Sequence, residues 1–181
     1  MNIREHEPIC RHTTLRTGGP ARFFIEAASE TEIREALKFA QQRQLPLRVL
    51  GGGSNVLASD EGFAGALIKV ASRGIAIHET AADAVQVISE AGEEWDQLVE
   101  QAVRWGLCGL ETLSLIPGTV GGAVIGNIGA YGAEVRDTLA WVEAVDARSG
   151  TLRQFAASEC ELHYRQSWFK TAAGRHFVVA R

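Results

Sequence analysis

Cysteine is scarce. Cys10, Cys108 and Cys160 are the only three in 181 residues, and none falls in a CxxC or Cys/His spacing, so neither a disulfide framework nor a cysteine-held metal is expected. An odd count without a framework suits a reducing compartment. No stripe of Lys and Arg interleaved with aromatics occurs and the formal net charge is −4, which argues against a nucleic-acid partner. The opening residues MNIREHEPIC lack an apolar h-region, so no signal peptide is expected. No membrane association is expected either, and together these features point to the cytoplasm. Apolar content of 46% and charged content of 22% are those of a globular protein with a real core.

What the sequence has in plenty is glycine, concentrated in one place. Thr112 to Ala133 is uncharged and holds Gly118, Gly121, Gly122, Gly126, Gly129 and Gly132. A membrane helix also reads as some twenty uncharged residues, but Pro117, Asn127, Tyr131 and the glycines oppose one, because glycine costs about 1 kcal/mol against alanine in a helix interior. Such a run serves either as a backbone cradle for a ligand or as a tightly packed turn region, and glycine permits both.

The remainder alternates short strands and helices. Arg22–Glu26 reads as a strand after a Gly18-Gly19-Pro20 turn. Ser29 to Gln44 reads as a helix, with Ser29 as cap, Glu32 as its capping-box partner, and Ile33, Ala36, Leu37 and Ala40 on the apolar face. Leu47–Leu50 reads as a buried strand, which makes residues 22–50 a β-α-β unit. Gly51, Gly52, Gly53, Ser54 and Asn55 follow: a loop of backbone N–H groups suited to phosphate oxygens, or an ordinary turn. It is neither a P-loop nor a G-x-G-x-x-G turn. Further strands are expected at 66–70, 75–78 and 85–89, with Ala82-Asp83 turning between the last two. A helix up to Trp105 has Trp95, Leu98, Val99, Ala102 and Val103 at apolar spacing, with both Trp95 and Trp105 in the core, and Gly106 stops it. A hairpin joins 139–146 to 151–155, a helical turn covers 157–160, and an aromatic and basic loop covers 164–170. The last residues, His176–Arg181, read as an apolar strand without a polar tail, as in a fragment of a longer chain.

Four blocks in order carry a resemblance: His12–Ala21 (HTTLRTGGPA), Leu50–Leu57 (LGGGSNVL), Ile116–Gly122 (IPGTVGG) with Asn127–Gly132 (NIGAYG), and Tyr164-Arg165-Gln166-Ser167 with Phe169-Lys170. The set resembles the flavin-dependent UDP-N-acetylenolpyruvoylglucosamine reductases of bacterial peptidoglycan synthesis, over nearly the whole chain. The resemblance implies an α+β FAD-binding fold of the vanillyl-alcohol-oxidase type with two subdomains, expected at 1–70 and 71–181. It implies FAD as cofactor, NADPH as hydride donor and a UDP-amino-sugar substrate. It places FAD against Gly51, Gly52, Gly53, Ser54, Asn55, Ile116, Pro117, Gly118, Gly121, Gly122, Asn127, Gly129, Ala130 and Tyr131, and substrate against Tyr164 and Arg165, with Arg165 catalytic. The family's third domain, with its proton-donating serine and late glutamate, has no counterpart among these residues. Tyr164, Ser167 and His163 are the candidate acids within the chain. A different oxidoreductase on the same fold, and a non-catalytic nucleotide-binding module, are the alternatives.

Overall fold

The computed structural model describes residues 1–80 and 84–181; the Ala82-Asp83 turn expected from sequence lies outside them. The chain begins with β1 (Asn2–Pro8), β2 (Pro20–Ala27), α1 (Glu30–Gln42), β3 (Leu47–Leu50) and β4 (Phe63–Val70). These strands form one four-stranded sheet in the order β1-β2-β4-β3. β2 and β3 both run parallel to β4, which lies between them, so the β-α-β unit expected over 22–50 exists as a crossover with β4 inserted at its centre. β4 buries Ala66, Leu67 and Ile68, as befits a strand with neighbours on both edges. α1 starts where expected. Ser29 Oγ accepts from the Glu32 N–H at 3.2 Å, a cap typically contributing about 1 kcal/mol. Glu32 reaches back to the Ala28 N–H at 2.8 Å, one residue before the cap.

β1 has no signature in the sequence. It pairs antiparallel with β2, and its polar side chains are matched across the ladder, Arg4 with Glu26 at 2.7 Å, while the Arg4 guanidinium lies 4.9 Å from the centre of the Phe24 ring.

The second half contributes β5 (Ile75–Thr80), β6 (Val85–Ser89), α2 (Trp95–Arg104), α3 (Val120–Gly126), β7 (Gly129–Ala130), β8 (Ala133–Glu134), β9 (Trp141–Asp146), β10 (Leu152–Ala156) and β11 (Phe177–Val179). β5 pairs with β6, β7 with β8, and β10-β9-β11 form an antiparallel sheet. Phe155 meets Trp168, Phe169 and Phe177 at centroid distances of 5.2, 5.3 and 5.0 Å, which fastens the 167–170 turn to that sheet. One apolar core runs through both halves, from Ile25, Ile33 and Ile68 to Trp95, Leu113, Val142 and Phe155.

Two expectations for α2 are corrected. Trp95 is buried, but Val103 is 53% and Trp105 36% exposed. Val103 follows Ala102 by one residue and is turned about 100° off the buried face, and Trp105 lies beyond the helix end. Among the described residues no helix is long and apolar enough to cross a membrane.

Candidate functional site

Two loops meet where β3 ends. Ser54 Oγ donates to the Pro117 carbonyl at 3.0 Å. A Cβ on Gly52 would lie 3.0 Å from Gly118 Cα and 3.2 Å from its carbonyl carbon, so a side chain at 52 would push the two backbones apart. Gly53 turns the other way: φ is +68° and a Cβ would stand 2.0 Å from the His12 carbonyl. Its own carbonyl accepts from the Thr14 N–H at 3.0 Å, which seats the first sequence block against the second. Between the loops lies a cavity of about 530 Å³ lined by Thr14, Gly51, Gly52, Ser54 and Ile116–Thr119, with Lys69, Arg73, Glu94 and Asp96 among the charged side chains at its wall. Thr119 is 6% exposed, and its hydroxyl has no hydrogen-bond partner among the described residues. A buried polar group without a partner costs free energy unless a ligand or water satisfies it. Backbone N–H groups and an unengaged hydroxyl, with little charge in the loops themselves, fit a dinucleotide's phosphates and ribose.

The 113–121 segment owes its path to the start of α2. Gly121 N donates to Ala91 O at 2.9 Å and Val120 N to Glu93 O at 2.9 Å, and Trp95 N donates to Gly118 O at 3.0 Å. Trp95 Nε1 donates to Leu113 O at 2.8 Å. Asp96 Oδ1 accepts from Ser114 Oγ at 3.0 Å and from Leu115 N at 2.6 Å. Glu93 fastens this template to the preceding strand pair through Arg73 at 2.9 Å and Gly74 N at 3.0 Å.

Burial pushes the Glu93 carboxyl up, but Arg73 and the N–H groups of Glu94 and Gly74 outweigh it and hold it below the ordinary 4.5. A carboxyl lowered in the folded state contributes stability that is fully present above its unfolded value and is lost as pH falls through the folded one. The melting-temperature gap between the native chain and Glu93→Gln is therefore expected to be constant from neutrality down to the ordinary 4.5 and to close below it. Thermal melts across that range check this; a gap that persisted to acid unfolding would show that charge is not what holds the contact.

The other end of α3 organises a second cluster. Asn127 caps the helix at φ +39° and is 1% exposed. Its Nδ2 donates to Glu134 Oε2 at 3.0 Å and to the His163 carbonyl at 2.9 Å, and its Oδ1 accepts from Arg136 N at 3.1 Å. Ser167 Oγ donates to the Ile125 carbonyl at 2.8 Å. Between these anchors His163 and Gln166 exchange backbone hydrogen bonds of 3.1 and 2.9 Å, which leaves Tyr164 and Arg165 at the tip of a tight turn. Arg165 has φ +54°, and its Nη2 donates to the Gly129 carbonyl at 3.3 Å. Opposite, Tyr131 and Gly132 (φ +52° and +87°) close the β7–β8 hairpin, the sign pattern of a type I′ turn. Tyr131 and Tyr164 are 94% and 77% exposed.

The residues expected from sequence at the site thus fall into three groups. Gly51, Gly52, Ser54, Ile116, Pro117 and Gly118 meet at the cavity, with Asn55 exposed in the adjoining turn and Gly122 exposed in the first turn of α3. Gly129, Ala130, Tyr131, Tyr164 and Arg165 belong to the cluster at the far end of α3. Gly53, Gly121 and Asn127 are turned into the protein, Gly121 against Ala91. Ser167 is corrected as a candidate acid: it is 3% exposed and its proton is committed to a carbonyl. Thr14, Thr119 and Asp96 also border the cavity. Thr119 lies inside the IPGTVGG block, a signal in the sequence; Asp96 is an unremarked polar position on a helix. Among the described residues no group of His, Cys, Asp and Glu could hold a metal ion.

Residues 21–156 match the family described as "FAD binding domain". The chain is 43% identical to UDP-N-acetylenolpyruvoylglucosamine reductase of Pseudomonas aeruginosa over 99% of its own length and 52% of the relative's. It is 43% identical to the protein of that name in Saccharopolyspora erythraea, over 90% and 44%. The chain spans about half the length of the relatives it matches. The crystal structure of UDP-N-acetylenolpyruvylglucosamine reductase from Thermus caldophilus superposes with a TM-score of 0.77 at 32% identity, over 99% of this chain and 61% of that one. p-Cresol methylhydroxylase, at 13% identity and a TM-score of 0.62 over 91% and 35%, shares the fold, which is the expected α+β fold of the vanillyl-alcohol-oxidase type. With well over half of its residues matched, the chain belongs to the FAD-binding domain family, and its relatives there are UDP-N-acetylenolpyruvoylglucosamine reductases.

Proposed function

We propose that these residues are the FAD-holding part of a reductase that converts UDP-N-acetylglucosamine enolpyruvate to UDP-N-acetylmuramate with NADPH, in cytoplasmic peptidoglycan synthesis and so in cell-wall growth, shape and division. The observation that carries this reading is the meeting of loops 51–55 and 116–119 around an unpartnered, buried Thr119 hydroxyl. In this reading the first sheet, complete within residues 2–70, is one FAD-binding subdomain, and residues 71–181 form the other.

Gly51, Gly52 and Gly118 would hold the dinucleotide through backbone groups, with Ser54 fixing the distance between the loops and Thr119 donating from below. Bound FAD supplies the two-electron chemistry that passes hydride from NADPH to a double bond. Hydride addition to an enolpyruvyl ether places negative charge on the carbon that bears the carboxylate. Arg165, held at a turn tip, would grip that carboxylate with two parallel N–H donors and stabilise the charge as it develops. Tyr164 would lie along the same substrate. No free proton donor is assigned among the described residues.

Titration of the purified chain with FAD checks the reading. Saturable quenching of flavin fluorescence and a protein that keeps its yellow colour through gel filtration are expected. A folded, colourless protein that leaves FAD fluorescence unchanged would overturn it.

A further inference from the structure

We propose that Asp96, from the first turn of α2, is a positioning residue for the cofactor cradle: its carboxylate holds Leu115 in the left-handed conformation from which Ile116–Thr119 are presented to the cavity. The inference rests on the FAD-binding reading and adds a residue that no sequence block marks.

Leu115 has φ +62°, a region that a residue with a Cβ disfavours. Packing does not keep it there, since Leu115 is 83% exposed. Trp95 fixes the Leu113 and Gly118 carbonyls on either side, and the contact to Leu115 itself comes from Asp96 Oδ1, which accepts from the Leu115 N–H at 2.6 Å and from the neighbouring Ser114 hydroxyl at 3.0 Å. The carboxylate has a fixed seat, because it sits in the first helical turn, where the macrodipole favours negative charge. Downstream, the chain goes directly from Leu115 into Ile116, Pro117 and Gly118, which line the cavity that Asp96 also borders. Releasing Leu115 would let its backbone relax toward negative φ and leave the presentation of Ile116–Thr119 to the two remaining ties, Trp95 N to Gly118 O and Ser54 Oγ to Pro117 O, which loosens the cavity wall.

A backbone role makes a prediction that general support of the fold does not. Asp96→Ala is expected to weaken FAD binding about tenfold, the effect of losing a charge-assisted hydrogen bond. Asp96→Asn keeps the acceptor oxygen and is expected to remain within about threefold of native. Leu115→Gly removes the aversion to positive φ and is expected to bind like native. The double variant Asp96→Ala/Leu115→Gly is then expected to recover most of the lost affinity, since glycine enters the required conformation unaided. The readouts are the FAD dissociation constant and the shape of the bound flavin's visible absorption band, with far-UV circular dichroism as the fold control. Native-like FAD binding by Asp96→Ala, or a double variant as weak as Asp96→Ala alone, would overturn the inference. Failure of the native chain to take up FAD would instead defeat the functional reading beneath it, so the two failures are distinct.

Discussion

Replacing Arg165 with alanine is expected, on the proposed function, to leave FAD uptake unchanged while lowering turnover of the enolpyruvyl substrate by about 10²–10³-fold, roughly 2.7–4 kcal/mol of transition-state stabilisation. The geometry explains the split. The Arg165 guanidinium donates one long hydrogen bond, to the Gly129 carbonyl at 3.3 Å, lies 5.9 Å from the centre of the Tyr164 ring, and makes no ion pair with a carboxylate among the described residues. Its backbone is held by more: the His163–Gln166 hydrogen bonds and Lys170 Nζ, which donates to the Arg165 carbonyl at 2.6 Å. A guanidinium so little engaged within the protein, on a turn so firmly tied, is available to a carboxylate from outside. Arg165→Lys is expected to recover only part of the loss, because an ammonium lacks the planar fork. Steady-state kinetics on a form of the protein that turns over substrate, with flavin absorbance measured in parallel, check both halves. Undiminished turnover would take the role away from Arg165.

Asn127→Ala carries the largest expected cost in stability, about 3–4 kcal/mol, which in a chain of this size is a fall of roughly 10 °C in melting temperature. The substitution deletes three hydrogen bonds in a site that is 1% exposed and leaves the Arg136 N–H without a partner, while the His163 carbonyl keeps only the Gln166 N–H. It also asks alanine to adopt φ +39°, which asparagine tolerates better. Asn127→Gly separates the two contributions: it restores the backbone preference, worth about 1 kcal/mol, and none of the hydrogen bonds. Differential scanning calorimetry of the three proteins checks the partition. A glycine variant as stable as native would mean that only the backbone mattered.

The sequence disclosed those parts of the fold whose causes are local. Ser29 and Glu32 announce α1 because capping is settled within four residues, and the period of Ile33, Ala36, Leu37 and Ala40 shows which face is buried. The glycines of 51–53 and 118–122 are visible because a close approach between backbones excludes every other residue. What stayed hidden depends on partners distant in the chain. β1 is polar but for Ile3 and Pro8 and becomes a strand by pairing with β2. β4 sits between β2 and β3 because of sheet order, which no hydrophobic period encodes. Ser167 reads as a free hydroxyl until Ile125, forty-two residues earlier, supplies its acceptor. Asp96 likewise looks like an ordinary first-turn acid, and only the fold brings Leu115 to it.

α3 has a consequence for the order in which the molecule assembles. Its seven residues include Gly121, Gly122 and Gly126, each about 1 kcal/mol worse than alanine in a helix, in a segment well below the roughly 12 residues at which an isolated helix becomes marginal. Such a helix cannot act as a folding nucleus. Its stability comes from contacts at both ends, the start of α2 at one and Ser167 with the loop that Asn127 grips at the other. The proposed cofactor seat and the arginine turn are therefore expected to become ordered together, and damage at either end is expected to reach the other through a helix with little stability of its own.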